Sequence, residues 1–139
     1  MTARCFADTN IFLYAASKDP ADQLKKKQAR ALLESEDVGI SAQVLQEFFD
    51  AAAQKKRLGI SEAEALQIIT AMMEFPVLPV TAKLVQQAIG QKSKHGISYW
   101  DAAIIAAAQE LGCEVIYTED LNAGQDYASV IVRNPFAKT

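Results

Sequence analysis

A chain of 139 residues, half of them hydrophobic and 22% charged, has the make-up of one domain with a substantial core, which excludes the disordered and fibrous classes. The net charge of −3 runs against a broadly basic nucleic-acid-binding protein. No apolar run reaches the roughly 18 residues that a bilayer span needs.

The first segment, Arg4–Ala7, reads as a short buried strand that stops at a carboxylate. Asp8, Thr9 and Asn10 all favour helix caps, so a turn into a helix over 10–16 follows at once. In a parallel α/β sheet such a turn lies at the carboxyl edge, where ligands bind. Lys18-Asp19-Pro20 ends that helix, and Asp19 can cap a second one over 20–35 with proline at its first position. Lys25, Lys26, Lys27 and Arg30 make one side of it basic, as a solvated face or as a rim for a polyanion.

A short strand is expected at Val38–Ile40, then a helix capped by Ser41 over 42–57 with Val44, Leu45, Phe48, Phe49 and Ala52 as its apolar stripe. Glu47 lies at the margin of that stripe. Leu58-Gly59-Ile60 is a glycine stop. Ser61 and Glu64 form a capping box that starts a helix to about Met73. Val77–Val80 reads as an edge strand because of Pro79. Thr81 caps a helix to about Ser93, and His95-Gly96-Ile97 reads as a surface loop. Ser98-Tyr99-Trp100-Asp101 opens an alanine-rich helix to Leu111, with Tyr99 and Trp100 expected to pack rather than to stack bases. Cys113–Tyr117 and Val130–Val132 are the last two strands. Strands alternating with helices predict an α/β fold in three layers, α/β/α, with a central parallel sheet of about five strands across a single domain, 1–139.

Four acids fall where such a sheet gathers side chains. Asp8 and Asp120 follow strands, Glu47 lies in the helix after strand two, and Asp101 lies in the first turn of the helix before strand four. Carboxylates within about 4–6 Å of one another repel strongly, so they take up protons or share a cation. Oxygen-only donors suit Mg²⁺ or Mn²⁺, which polarises a phosphate oxygen and lowers the pKa of an attacking water. That chemistry needs no histidine, and His95 is the chain's one histidine. Each acid also has a plainer role: Asp8 as helix cap, Asp101 in a capping box with Ser98, Glu47 on a solvated face, Asp120 in a turn. Asn10 and Thr118 can hydrogen-bond the metal ligands or serve as ordinary turn residues. If four of the 17 acids hold metal, 13 remain against 14 Lys and Arg, so the net charge does not exclude nucleic acid.

Phe6-Ala7-Asp8-Thr9-Asn10 resembles the opening motif of PIN-domain nucleases, and Leu45-Gln46-Glu47-Phe48-Phe49 is similar to the stretch carrying that family's second acid. Ser98-Tyr99-Trp100-Asp101-Ala102-Ala103-Ile104 resembles its third motif. Ile116–Leu121 followed by Gly124-Gln125 resembles its fourth, and the ending Val130–Phe136 is similar to the VapC-type toxin branch. The resemblance implies a Mg²⁺- or Mn²⁺-dependent endoribonuclease with Asp8, Glu47, Asp101 and Asp120 as metal ligands. Of the neighbours Glu119 and Asp120, it assigns the metal to Asp120. It further implies an RNA substrate, a small antitoxin that blocks the site, and a homodimer. The N-terminus lacks the layout of a signal peptide, and Cys5 and Cys113 read as reduced core thiols, so the expected location is the cytoplasm with no membrane partner.

Other classes fit less well. A phosphorelay receiver needs an aspartate after strand three and a lysine after strand five, where this chain has Pro79-Val80-Thr81 and Arg133-Asn134. A phosphatase with paired aspartates after strand one would need an acid where Asn10 stands. A housekeeping RNA-processing nuclease and a non-catalytic partner-binding scaffold share the same fold and remain the alternatives to a toxin.

Overall fold

The structure, a computed structural model, describes residues 1–127 and 129–137. In chain order the elements are β1 (Cys5–Ala7), α1 (Thr9–Ala16), α2 (Gln23–Ser35), β2 (Val38–Ser41), α3 (Ala42–Gln54), α4 (Glu62–Met72), β3 (Val77–Leu78), α5 (Ala82–His95), α6 (Tyr99–Glu110), β4 (Val115–Tyr117), β5 (Asp126–Tyr127) and β6 (Val130–Arg133).

The sheet order is β3-β2-β1-β4-β6-β5. All neighbours run parallel except β5, which pairs antiparallel with β6. The chain steps one way from β1 through β2 to β3, then returns to place β4 on the other side of β1. Right-handed crossovers therefore put α1 to α4 on one face and α5 and α6 on the other. The reversal between β1 and β4 is the switch point of an open sheet, the place where a crevice forms. Ala7 is in register with Tyr117 there, so Asp8 and Thr118 lie side by side just beyond the two strands.

Apolar residues explain these choices. Phe6, Ile40, Ile116 and Val132 fill the sheet's centre and are fully buried. In α6, seven consecutive residues from Ala102 to Ala108 are buried. A helix apolar all round belongs in the interior, and its small alanines let it lie close to both α5 and the sheet. Gly39 in β2 has a steric reason: a β-carbon there would meet the Ala3 Cβ at 2.8 Å, so only glycine admits the N-terminal segment alongside.

Several expected boundaries shift. Pro20 opens a 3₁₀ turn to Asp22, and α2 begins only at Gln23. The third helix ends at Gln54, and a second 3₁₀ turn, Lys56–Leu58, buries Leu58 before Gly59 takes φ 69°. The stretch expected as a loop at His95 is instead the last residue of α5, and Gly96 at φ 63° ends it. His95 is half-buried, with its ring edge-on to Tyr127 at 4.8 Å. The short β5 is an addition to the five parallel strands expected. The capping box of Ser61 and Glu64 and the edge position of β3 are as expected. Cys5 and Cys113 are free and buried. No helix among the described residues is long and apolar enough to cross a membrane.

Candidate metal and active site

The crevice is built from the strand-to-helix turn upward. Asp8 caps α1, its Oδ1 accepting from the Thr9 N–H at 2.7 Å. Its Oδ2 accepts from the Thr118 hydroxyl at 2.8 Å. Thr118 is fully buried. Its oxygen also accepts from Asn10 Nδ2 at 3.0 Å and from the Asp120 N–H at 3.1 Å. Asn10 Nδ2 makes a further bond to Asp120 Oδ2 at 3.1 Å. Thr118 and Asn10 therefore tie the carboxylates after β1 and β4 together.

Glu47 approaches from α3. Its Oε1 accepts from the Thr9 hydroxyl at 3.2 Å and from Gln43 Nε2 at 3.3 Å. The same Gln43 nitrogen donates to the Trp100 carbonyl at 3.2 Å, which fixes the start of α6 against α3. Asp101 follows immediately, its N–H bonded to the Ser98 cap at 3.1 Å. Asp8, Glu47 and Asp120 thus share one hydrogen-bond network; among the described residues the Asp101 side chain makes no bond to it, and Asp101 bears on it through the charge it exerts on Glu47.

Burial first, and the neighbouring acids second, raise two of these carboxyls. Burial pushes the Asp8 carboxyl up to about 7; the Thr9 and Thr118 bonds oppose that shift, and the charges of Glu47 and Asp120 add to it. Burial also raises Glu47, against its bonds from Thr9 and Gln43, and Asp101 and Asp120 push it higher still. Asp8 thus feels the charge of Glu47 and Asp120, and Glu47 that of Asp101 and Asp120, across 112 positions of chain from Asp8 to Asp120.

A cleft of about 290 Å³ is lined by Asn10, Tyr14, Glu47, Lys55, Arg57 and Asp120, while Asp8 and Asp101 do not line it. Glu119 turns from its neighbour's partners. It accepts from the Tyr14 hydroxyl, and its Oε2 pairs with Lys25 at 2.9 Å. Lys25 also sits 4.7 Å from the Tyr14 ring centroid, so the basic run of α2 is not uniformly solvated. Arg30 likewise spends its Nε on the Ala15 carbonyl at 2.9 Å.

Among the described residues no three acidic, histidine or cysteine side chains form a ready-made metal cluster. Neutral donors from Thr9, Thr118, Asn10 and Gln43 space the carboxylates instead. The donor set nevertheless fits a hard divalent cation. It is all oxygen, two of its acids are raised by burial with the neighbouring acids adding to it, and it includes a buried carbonyl, Asn10 Oδ1, with no hydrogen-bond partner among the described residues.

Sequence reasoning passed over Gln43 and the hydroxyl of Thr9. The signal for Gln43 was its place four residues before Glu47, next to the apolar stripe, where it is buried. Trp100 is the larger departure: expected to pack, it is 62% exposed, because the buried arc of α6 begins only at Ala102.

A family model for the PIN domain matches residues 5–125. No curated protein matches the chain. Among solved structures, a toxin–antitoxin complex from Klebsiella pneumoniae is similar with a TM-score of 0.68 at 18% identity, over 95% of this chain and 98% of that one. VapC20 of Mycobacterium tuberculosis, a sarcin–ricin-loop-cleaving toxin, matches with a TM-score of 0.68 at 22% identity, over 84% of this chain and 89% of that one. VapBC2 from Rickettsia felis, bound to a DNA fragment of its promoter, matches with a TM-score of 0.66 at 17% identity, over 94% and 97%. At these identities the likenesses speak for the fold.

Proposed function

The chain belongs to the PIN-domain family, and from that premise we propose that it is a metal-dependent endoribonuclease, the toxin of a toxin–antitoxin pair. The observation that carries this reading is the buried Asp8, raised to about 7 by desolvation with Glu47 and Asp120 adding to it. A fold retained only for binding has no need of such an arrangement at its switch point.

Asp8, Glu47, Asp101 and Asp120 would hold Mg²⁺ or Mn²⁺, with Asn10 Oδ1 as an added oxygen donor. Such an ion supplies a polarised phosphate oxygen and a water of lowered pKa. The chain's own residues do the rest. Thr118 aims Asp8 and Asn10 aims Asp120, both through bonds already made. Gln43 keeps Glu47 near the start of α6. Lys55 lines the same cleft as Glu47 and Asp120 and offers positive charge to a neighbouring phosphate of the RNA, while Arg57 is paired with Asp19 and Asp22.

A protein partner has its own surface. A second cleft, about 360 Å³, is lined by Phe12, Leu33, Ile68, Met72 and Phe75, with Lys26 and Arg30 among its lining. An amphipathic antitoxin segment with acidic flanks suits it. Two structures similar in fold are described as a toxin–antitoxin complex and a toxin, which favours this reading over RNA housekeeping. A homodimer and a cytoplasmic location belong to the same proposal.

The test is cleavage of RNA by the purified protein, with Mg²⁺ or with EDTA. Cleavage that needs the metal is expected. Asp120→Asn should lower the rate at least about tenfold to a hundredfold, and Glu119→Gln should stay within about threefold. Equal losses in the two variants would remove the distinction between them, and cleavage undiminished by EDTA would remove the metal.

A further inference from the structure

Trp100 stands in water at the edge of the acidic network, and two restraints hold it there. Its carbonyl accepts from Gln43 at 3.2 Å, and the same Gln43 nitrogen donates to Glu47 at 3.3 Å. Its ring meets the half-buried Tyr99 ring edge-on, with centroids 5.1 Å apart and planes at 82°. An indole ordinarily brings one of the largest apolar surfaces in a protein to the core. Here it is 62% exposed, one residue before Asp101. A shallow hollow beside it is lined by Gln43, Gln46, Val80, Leu84 and Tyr99. Gln43 therefore belongs both to that hollow and to the carboxylate network.

Building on the nuclease reading above, we propose that Trp100 is the stacking platform for an unstacked nucleobase next to the scissile phosphate. Every base offers a π-face, so an exposed, edge-supported indole takes any of them. In a duplex those faces are already stacked, and the indole can be used only by a base that has left the helix. Gln46, exposed at the same hollow, offers both an amide donor and an acceptor to the edge of the stacked base. The competing occupant of this surface is a second copy of the chain, which would also cover Val80, 48% exposed.

Trp100 is the chain's one tryptophan, so its emission reports on this position alone. Adding a short single-stranded oligoribonucleotide with Mg²⁺ to the wild-type protein should quench that emission, and the same strand annealed to its complement should not. In cleavage assays Trp100→Ala should raise KM for the single strand about tenfold or more, with kcat within about threefold, and Trp100→Phe should recover most of the loss. An unchanged KM in Trp100→Ala would overturn the proposal. So would emission that follows protein concentration and ignores RNA, which would give the residue to a second copy. If the wild type cleaves neither strand, the nuclease reading fails by itself, and quenching by the uncleaved single strand still decides the role of Trp100.

Discussion

Asp8→Asn is expected to abolish metal-dependent cleavage while making the metal-free protein more stable at pH 8. Both effects have the same source. Asp8 is 6% exposed, and burial lifts its carboxyl from 3.8 to about 7. The folded pKa thus lies above the unfolded one, and the native state holds the proton more tightly. Stability is greatest below about pH 4, falls as pH rises through the interval to about 7, and stays at its lower value beyond. A difference of about three units corresponds to roughly 4 kcal/mol of burdened stability above pH 7. Asn removes the charge but cannot accept from both Thr9 and Thr118, which gives back roughly 1–2 kcal/mol. The remaining gain, about 2 kcal/mol, should raise the melting temperature by several degrees in EDTA at pH 8 and shrink toward pH 4.5. Millimolar Mg²⁺ should reverse the order, because only the wild type gains from binding. An Asp8→Asn protein that melts below the wild type in EDTA at pH 8 would show that the carboxylate is not strained there.

Thr118→Val tests the support beneath the acids. The change keeps shape and removes one hydroxyl, yet that hydroxyl serves three partners: Asp8 at 2.8 Å, Asn10 at 3.0 Å and the Asp120 N–H at 3.1 Å. Thr118 is fully buried, so water cannot replace it. Stability should fall by about 2–3 kcal/mol, the cost of leaving buried polar groups unmatched. Metal affinity should fall about 10–100-fold, seen as a matching rise in the Mg²⁺ concentration needed for half-maximal cleavage. Thr118→Ser should restore most of both. A valine variant with the wild-type Mg²⁺ requirement would free Thr118 from any part in placing the carboxylates.

Asp8, Asp101 and Asp120 stood out in the sequence because each sits where an element begins or ends, whereas Glu47 lies inside α3 and was marked by its place at the margin of an apolar stripe. Asp8 and Asp120 each follow a strand, and the register of Ala7 with Tyr117 makes neighbours of those strand ends. Capping chemistry marked Ser61, Thr81 and Ser98 for the same reason, since a side chain that satisfies a helix terminus does so locally. What escaped depended on contacts across the fold. Nothing local separates Glu119 from Asp120; the difference arises because Lys25 and Tyr14 claim one while Asn10 claims the other. The two-residue β5 is too short to show alternation and exists through its pairing with β6. Trp100 looked like core because aromatic residues usually are. Its exposure follows from its place in the first turn of α6, ahead of the stretch from Ala102 that is buried on every side. The basic run of α2 looked alike at every position, yet Lys25 and Arg30 have different partners.

The proposal that Asp8, Glu47, Asp101 and Asp120 hold a divalent ion is tested most directly by a crystal of the protein soaked in Mn²⁺, with the ion found by its anomalous scattering. The expected result is a peak at the β1–β4 switch point, roughly 2.1 Å from carboxylate oxygens of Asp8 and at least two of the other three acids. Manganese bound only at other surfaces, or absent from that crevice at millimolar concentration, would contradict it.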